Sequence, residues 1–180
     1  MKSNLGDYIK TIELARSKKK RTIIGEYLRS MQEVEIANFL YLNGIEYEYE
    51  KTYPSTLRKS QKQYTPDFYI KQGEKEAYIE HFGINENGTS NLYNPKQLAK
   101  YKQSIIDKEV LHFARRTTLI KTWSNYTDKR PLRQHLKEKL ENNGYMIVKK
   151  RNDADGYFYG CTNYNEEQGC KNAVNFWEIE

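Results

Sequence analysis

Apolar residues recur along the chain with two different periods, and the switches between them mark the elements. Ser30 stands where a helix N-cap is expected, and Glu33 three residues on completes the pattern of a capping box. A helix is predicted through "EVEIANFLYLN" and ends at Gly44, a good residue for the position after a helix. "IEYEYEKTY" (45–53) instead alternates apolar and charged side chains, the period of a strand. Pro54 to Gln63 is polar and basic and reads as a loop. "YTPDFYI" (64–70) and "EAYIEHFGI" (76–84) flank "KQGEK", whose Gly73 suits a short turn, so the two runs are predicted to pair as a hairpin. Asn94-Pro95 gives an N-cap followed by a proline at the first helical position, with helix to about Ala114. "TTLIKTW" (117–123) is rich in β-branched residues and reads as a strand. Leu132, Leu136 and Leu140 recur at helical spacing, and "GYMIVKKR" and "GYFYGC" read as a closing hairpin.

This order predicts an α/β fold, a mixed sheet flanked by helices with a small β-rich C-terminal element. Three parts are expected: a basic segment over 1–29, helical across 7–28; a main domain over 30–143; and a tail over 144–180.

Composition adds two constraints. Charged residues are 30% of the 180 and hydrophobic ones 37%, but 16 Tyr, 6 Phe and 2 Trp supply enough apolar surface for a core, which argues against disorder. No run approaches the length of a membrane-spanning helix, the start lacks the apolar stretch of a signal peptide, and two cysteines do not make a disulfide framework. A cytoplasmic protein with no membrane partner is expected. The net charge of +6 is clustered: Lys18, Lys19, Lys20 and Arg21; Arg115 and Arg116; Lys149, Lys150 and Arg151. Such clusters suit a phosphate backbone, though each also reads as a solvated surface.

The chemistry concentrates in the hairpin. Alternate strand residues face the same way, so Asp67 shares a face with Tyr69, and Glu80 with Tyr78 and Phe82. If both acids face one side of paired strands, their carboxylates come within reach of one hard cation. Two carboxylates beside a basic surface suit metal-assisted phosphodiester hydrolysis. On the first helix Glu33 lines up with Ile36, Ala37 and Leu40, and Glu35 points away. Glu33 therefore either closes the capping box or joins a charged site.

"PD" at 66–67 and "EHF" at 80–82, with Glu33 upstream, resemble the PD-(D/E)XK nuclease fold. "SMQEVEIANFLYLNGIEYEYEKTYP", "YTPDFYI", "YIEHFGINENG" and "KEVLHFARRTTLIKTWS" resemble the nuclease-like module of superfamily-1 DNA helicases of the UvrD and helicase IV kind, over about 30–143. The resemblance implies a restriction-endonuclease-like fold and DNA as partner, and does not by itself imply activity. In the active reading Asp67 and Glu80 hold Mg²⁺ or Mn²⁺, and Glu33, Asp67 and Glu80 carry catalysis. The resemblance also brings a helicase and a second copy of the chain as candidate partners. No phosphate-binding P-loop occurs, so the chain is not itself an ATP-driven motor. The family's lysine belongs two residues after Glu80, where this chain has Phe82. Related nucleases supply it from a neighbouring helix, and Lys108 is the candidate there. The alternative is a lysine whose stem covers apolar surface while its head stays in water. His112, one turn on, is either packed or catalytic.

The tail resembles the second half of the zinc ribbons at the ends of bacterial topoisomerase I, but only Cys161 and Cys170 are present where such ribbons use four thiolates. No zinc is expected. The tail's aromatics beside Lys149, Lys150 and Arg151 suit either single-stranded nucleic acid or the core of a small hairpin. Three functions follow: a DNA endonuclease or nickase in repair or defence, an inactive nuclease fold that binds DNA, or a protein–protein adaptor.

Overall fold

The computed structural model describes residues 20–57, 61–150, 157–160 and 173–175. Helix α1 (Met31–Leu42) begins as its sequence dictates. Ser30 is extended, its Oγ accepts from the Glu33 N–H at 3.1 Å, and Glu33 Oε2 accepts from the Ser30 N–H at 3.2 Å. The helix stops at Asn43, and Gly44 follows with φ 61°, a conformation that favours glycine.

Strands β3 (Glu46–Tyr49), β4 (Phe68–Gln72), β5 (Lys75–Asn85) and β6 (Leu119–Asn125) form one mixed sheet in that order. The first two pairings are antiparallel and β5–β6 is parallel. A parallel pair needs a crossover, and α2 (Pro95–Arg115) supplies it. Its N-cap Asn94 forms a second capping box, with Gln97.

The strand period divides the sheet into two apolar faces. Phe68, Ile70, Ile79 and Ile120 pack on Ile36 and Leu40 of α1 and on Leu136 of α3 (Leu132–Asn142). Tyr69 and Tyr78 pack on Leu111 of α2, and Phe82 and Ile84 on Ile105. The result is a three-layer α/β fold, with α1 and α3 on one face and α2 on the other. Among the described residues no helix is long and apolar enough to cross a membrane.

The C-terminal part holds three antiparallel strands, β7 (Ile147–Lys150), β8 (Tyr157–Gly160) and β9 (Ala173–Asn175), one more than the expected hairpin. Ile147 joins the main core, and the Val148 N–H donates to Asn43 Oδ1 at 2.9 Å, so this sheet is anchored on α1. Cys161 and Cys170 lie outside the described residues, and with them the question of zinc.

One expectation is overturned. Residues 7–19 lie outside the described residues, but 20–28, assigned to a basic helix, form a hairpin of β1 (Lys20–Arg21) and β2 (Tyr27–Leu28). The Gly25 N–H donates to the Thr22 carbonyl, the Glu26 N–H to Thr22 Oγ1, and the Thr22 N–H to the Glu26 carbonyl. With Gly25 at φ 93°, these bonds close a turn that a helix cannot accommodate.

Candidate active site

The register of the β4–β5 hairpin pairs Phe68 with Ile79, and one step further along it lie Asp67 and Glu80. Both are buried acids, and both sit on the α2 side of the sheet, as the alternation of Tyr69 and Tyr78 requires. Two carboxylates brought this close out of water raise each other's cost of ionisation. Burial first, and then the charge of Glu80, push the Asp67 carboxyl up to about 7.

Each acid has one cationic neighbour. Lys108 crosses from α2 and places Nζ 2.7 Å from Glu80 Oε2. Its ammonium also lies 5.6 Å from the Tyr64 ring centroid and 5.4 Å from that of Phe82, within cation–π range. The Lys108 ammonium is thus paired with Glu80 rather than left in water. Phe82 itself is buried, 5.0 Å from the Trp123 ring and 6.5 Å from Tyr101. Arg29, just before α1, donates from Nη2 to Asp67 Oδ1 at 2.9 Å, and the His81 backbone N–H donates to Asp67 Oδ2 at 2.7 Å.

Glu80 Oε1 is buried with no hydrogen-bond partner of good geometry, though the Tyr64 hydroxyl stands against the same carboxylate. An orphaned buried carboxylate oxygen is rare in native proteins and calls for an ion or a water. Hard oxygen donors of this kind fit Mg²⁺, which takes one or two carboxylates and fills the rest of its shell with water and substrate phosphates. Among the described residues no group of three or more His, Cys, Asp or Glu could hold a metal ion.

Glu33 reaches the edge of this group but is committed. Its Oε2 accepts from the backbone N–H groups of Arg29 and Ser30 and from the Tyr49 hydroxyl at 2.8 Å. Glu33 therefore closes the cap, and its charge acts on Asp67 and His81 from there. Replacing Ser30 by Ala removes half of the box and should lower stability by about 1 kcal/mol in urea denaturation. Glu35→Ala, on a partly exposed side of α1, should stay within about 0.5 kcal/mol of wild type.

Several site residues carry no local sequence signal. Arg29 is brought to Asp67 across 38 residues. His81 sits on the opposite sheet face from Glu80, with Nε2 3.0 Å from Gln32 Oε1 and Nδ1 3.0 Å from Thr122 Oγ1. Gln32 Nε2 donates to the Ser124 carbonyl, which fixes Oε1 as the acceptor and so places the His81 proton on Nε2. His112 is a packed histidine, ringed by Tyr53, Tyr64 and Tyr78 and bonded to Tyr64 and Thr117.

Burial holds both rings neutral, with His81 and His112 each lowered to about 4. The signs then oppose. A histidine with a depressed folded-state value gives stability above about 6.5 that is lost as pH falls towards 4. Asp67, raised, gives stability that is full below its ordinary value near 3.8 and is lost as pH rises through about 7. Thermal melts of metal-free protein should show wild type gaining on Asp67→Asn as pH is lowered from 8 to 4. Parallel profiles would contradict the shared burial of Asp67 and Glu80.

The basic clusters are dispersed over the fold. Lys20 and Arg21 lie on the β1–β2 hairpin, and Lys18 and Lys19 outside the described residues. Arg115 lines an open cleft of about 930 Å³ between residues 52–56, 61 and 63 and α2, and Arg116 caps that helix. Lys149 on β7 lies 3.7 Å from Glu141, Lys150 ends the same strand, and Arg151 lies outside the described residues. Compared with family models, with curated proteins and with solved structures, the chain matches none.

Proposed function

We propose that the chain is a Mg²⁺-dependent DNA endonuclease or nickase of the PD-(D/E)XK kind, with Mn²⁺ able to take the place of Mg²⁺. The observation that carries this reading is the orphaned Glu80 Oε1 beside a buried Asp67. Asp67 and Glu80 would hold the cation, which supplies Lewis-acid polarisation of a phosphoryl oxygen and a more acidic water. The chain's own groups do the rest. Lys108 sets a positive charge beside the carboxylates, where it orients an attacking water and offsets charge building on the phosphate. Arg29 is half exposed at the rim, and its planar fork has donors left for a phosphate. Glu33 fixes the start of α1 and hence Arg29 and Gln32. Resemblance of 30–143 to the helicase-associated module also favours a helicase partner.

A second reading, an inactive nuclease fold that binds DNA, is favoured by Phe82 and by the two donors already on Asp67. Purified protein incubated with single-stranded, duplex and forked DNA separates the two. Strand breaks that require Mg²⁺ or Mn²⁺ support the enzyme; salt-sensitive binding with no cleavage in either metal supports the binding module.

A further inference from the structure

The stretch of β5 that carries the site is weakly held by its own sheet. Pairing with β4 ends at Phe68–Ile79, so among the described residues β5 is laddered from Glu80 onward to β6 alone. That ladder in turn loses its register between Phe82 and Asn85. The His81 N–H, in the middle of this stretch, donates not to a carbonyl but to Asp67 Oδ2 at 2.7 Å.

Behind the carboxylates, on the α1 face of the sheet, a hydrogen-bond network holds the His81 ring. The Nε2–H donates to Gln32 Oε1 at 3.0 Å, which leaves Nδ1 as an acceptor for the Thr122 hydroxyl at 3.0 Å. Ser124 Oγ donates to the same Gln32 oxygen, and Gln32 Nε2 donates to the Ser124 carbonyl, both at 2.9 Å. Thr122 is fully buried. Three elements, α1, β5 and β6, thus fix one ring, and it cannot turn without breaking both of its bonds.

We infer that Gln32, His81 and Thr122 are positioning residues for the carboxylate pair: by fixing the His81 ring they fix the β5 main chain, whose N–H orients Asp67. This rests on the metal-site reading above and deepens it. The main-chain bond occupies Asp67 Oδ2 and leaves Oδ1, now met by Arg29 at 2.9 Å, as the oxygen for the cation. None of the three side chains touches that cation. Groups behind metal ligands set the ligands' orientation in this way, and losing one typically weakens metal binding about tenfold or more.

The test compares three variants of the whole chain. Gln32→Met removes the acceptor for Nε2–H, and Thr122→Val removes the donor to Nδ1 at nearly equal shape. Thr122→Ser keeps that donor but leaves a methyl-sized gap, which lowers the thermal midpoint. In EDTA the wild-type His81 amide proton should resonate far downfield, as a short bond to a carboxylate requires. It should move upfield in Gln32→Met and Thr122→Val and stay in place in Thr122→Ser. Mn²⁺ affinity, read as free Mn²⁺ by electron paramagnetic resonance, should fall about tenfold in the first two and stay within about twofold of wild type in Thr122→Ser. A merely structural role would make affinity follow the thermal midpoint across the three variants, and that result overturns the positioning role. An unmoved amide in Gln32→Met and Thr122→Val overturns it as well. Wild-type protein that takes up no Mn²⁺ overturns the metal-site reading and the positioning role with it, and the amide measurement, made without metal, tells these failures apart.

Discussion

Replacing Asp67 by alanine is expected to reduce metal-dependent cleavage by about a thousandfold or more while DNA binding stays equal or tightens. Asp67 lies one step beyond the Phe68–Ile79 pair, opposite Glu80, and both acids are buried. Its loss leaves Glu80 a lone buried acid, and one carboxylate beside Lys108 is a weak cation site. Binding should not suffer, because the change removes a negative charge near the phosphates and releases one of the two carboxylates that hold Arg29, the other being Glu50 at 3.2 Å. Cleavage assays on forked DNA with Mg²⁺, alongside binding measured in EDTA, check both halves. An alanine variant that cleaves like wild type would place the chemistry elsewhere.

Lys108→Ala should have the largest effect on stability. Glu80 is almost fully buried, and removing the lysine strands a charge that cannot return to water. Losing one partner of a buried pair costs several kcal/mol, and with Lys108 itself partly exposed about 3 kcal/mol is expected for metal-free protein. Added Mg²⁺ should recover part of this loss, because a cation bound to the folded state alone stabilises it and takes over the lysine's charge. Urea denaturation of wild type and variant, in EDTA and in Mg²⁺, makes the comparison. Equal Mg²⁺ shifts for both proteins would mean that the cation does not sit against Glu80. Cleavage by the variant should fall more than its DNA binding.

The site was legible in the sequence where one element's period decides the geometry. Asp67 and Glu80 follow from strand alternation plus a hairpin turn at Gly73, and Lys108 from the face of α2. The capping box at Ser30 and Glu33 is equally local. Arg29 was not legible, because it reaches Asp67 only after the hairpin before it folds back and α1 begins. The same holds for His81, whose partners Gln32 and Thr122 come from two other elements. Residues 20–28 were misread because their basic run offers no clear period. The turn at Thr22 and Gly25 decides their conformation instead, through bonds between backbone groups that composition does not reveal.

The central claim is that Asp67 and Glu80 together hold a divalent cation. Titrating Mn²⁺ into isotope-labelled protein and following the backbone amide spectrum tests it directly, since a bound paramagnetic ion broadens only nearby signals. The account predicts that the amides of His81 and Phe82 fade first, with those of Asp67 and Phe68, and that Asp67→Asn and Glu80→Gln each abolish the effect. Broadening centred on any other part of the fold, or none at millimolar Mn²⁺, would contradict it.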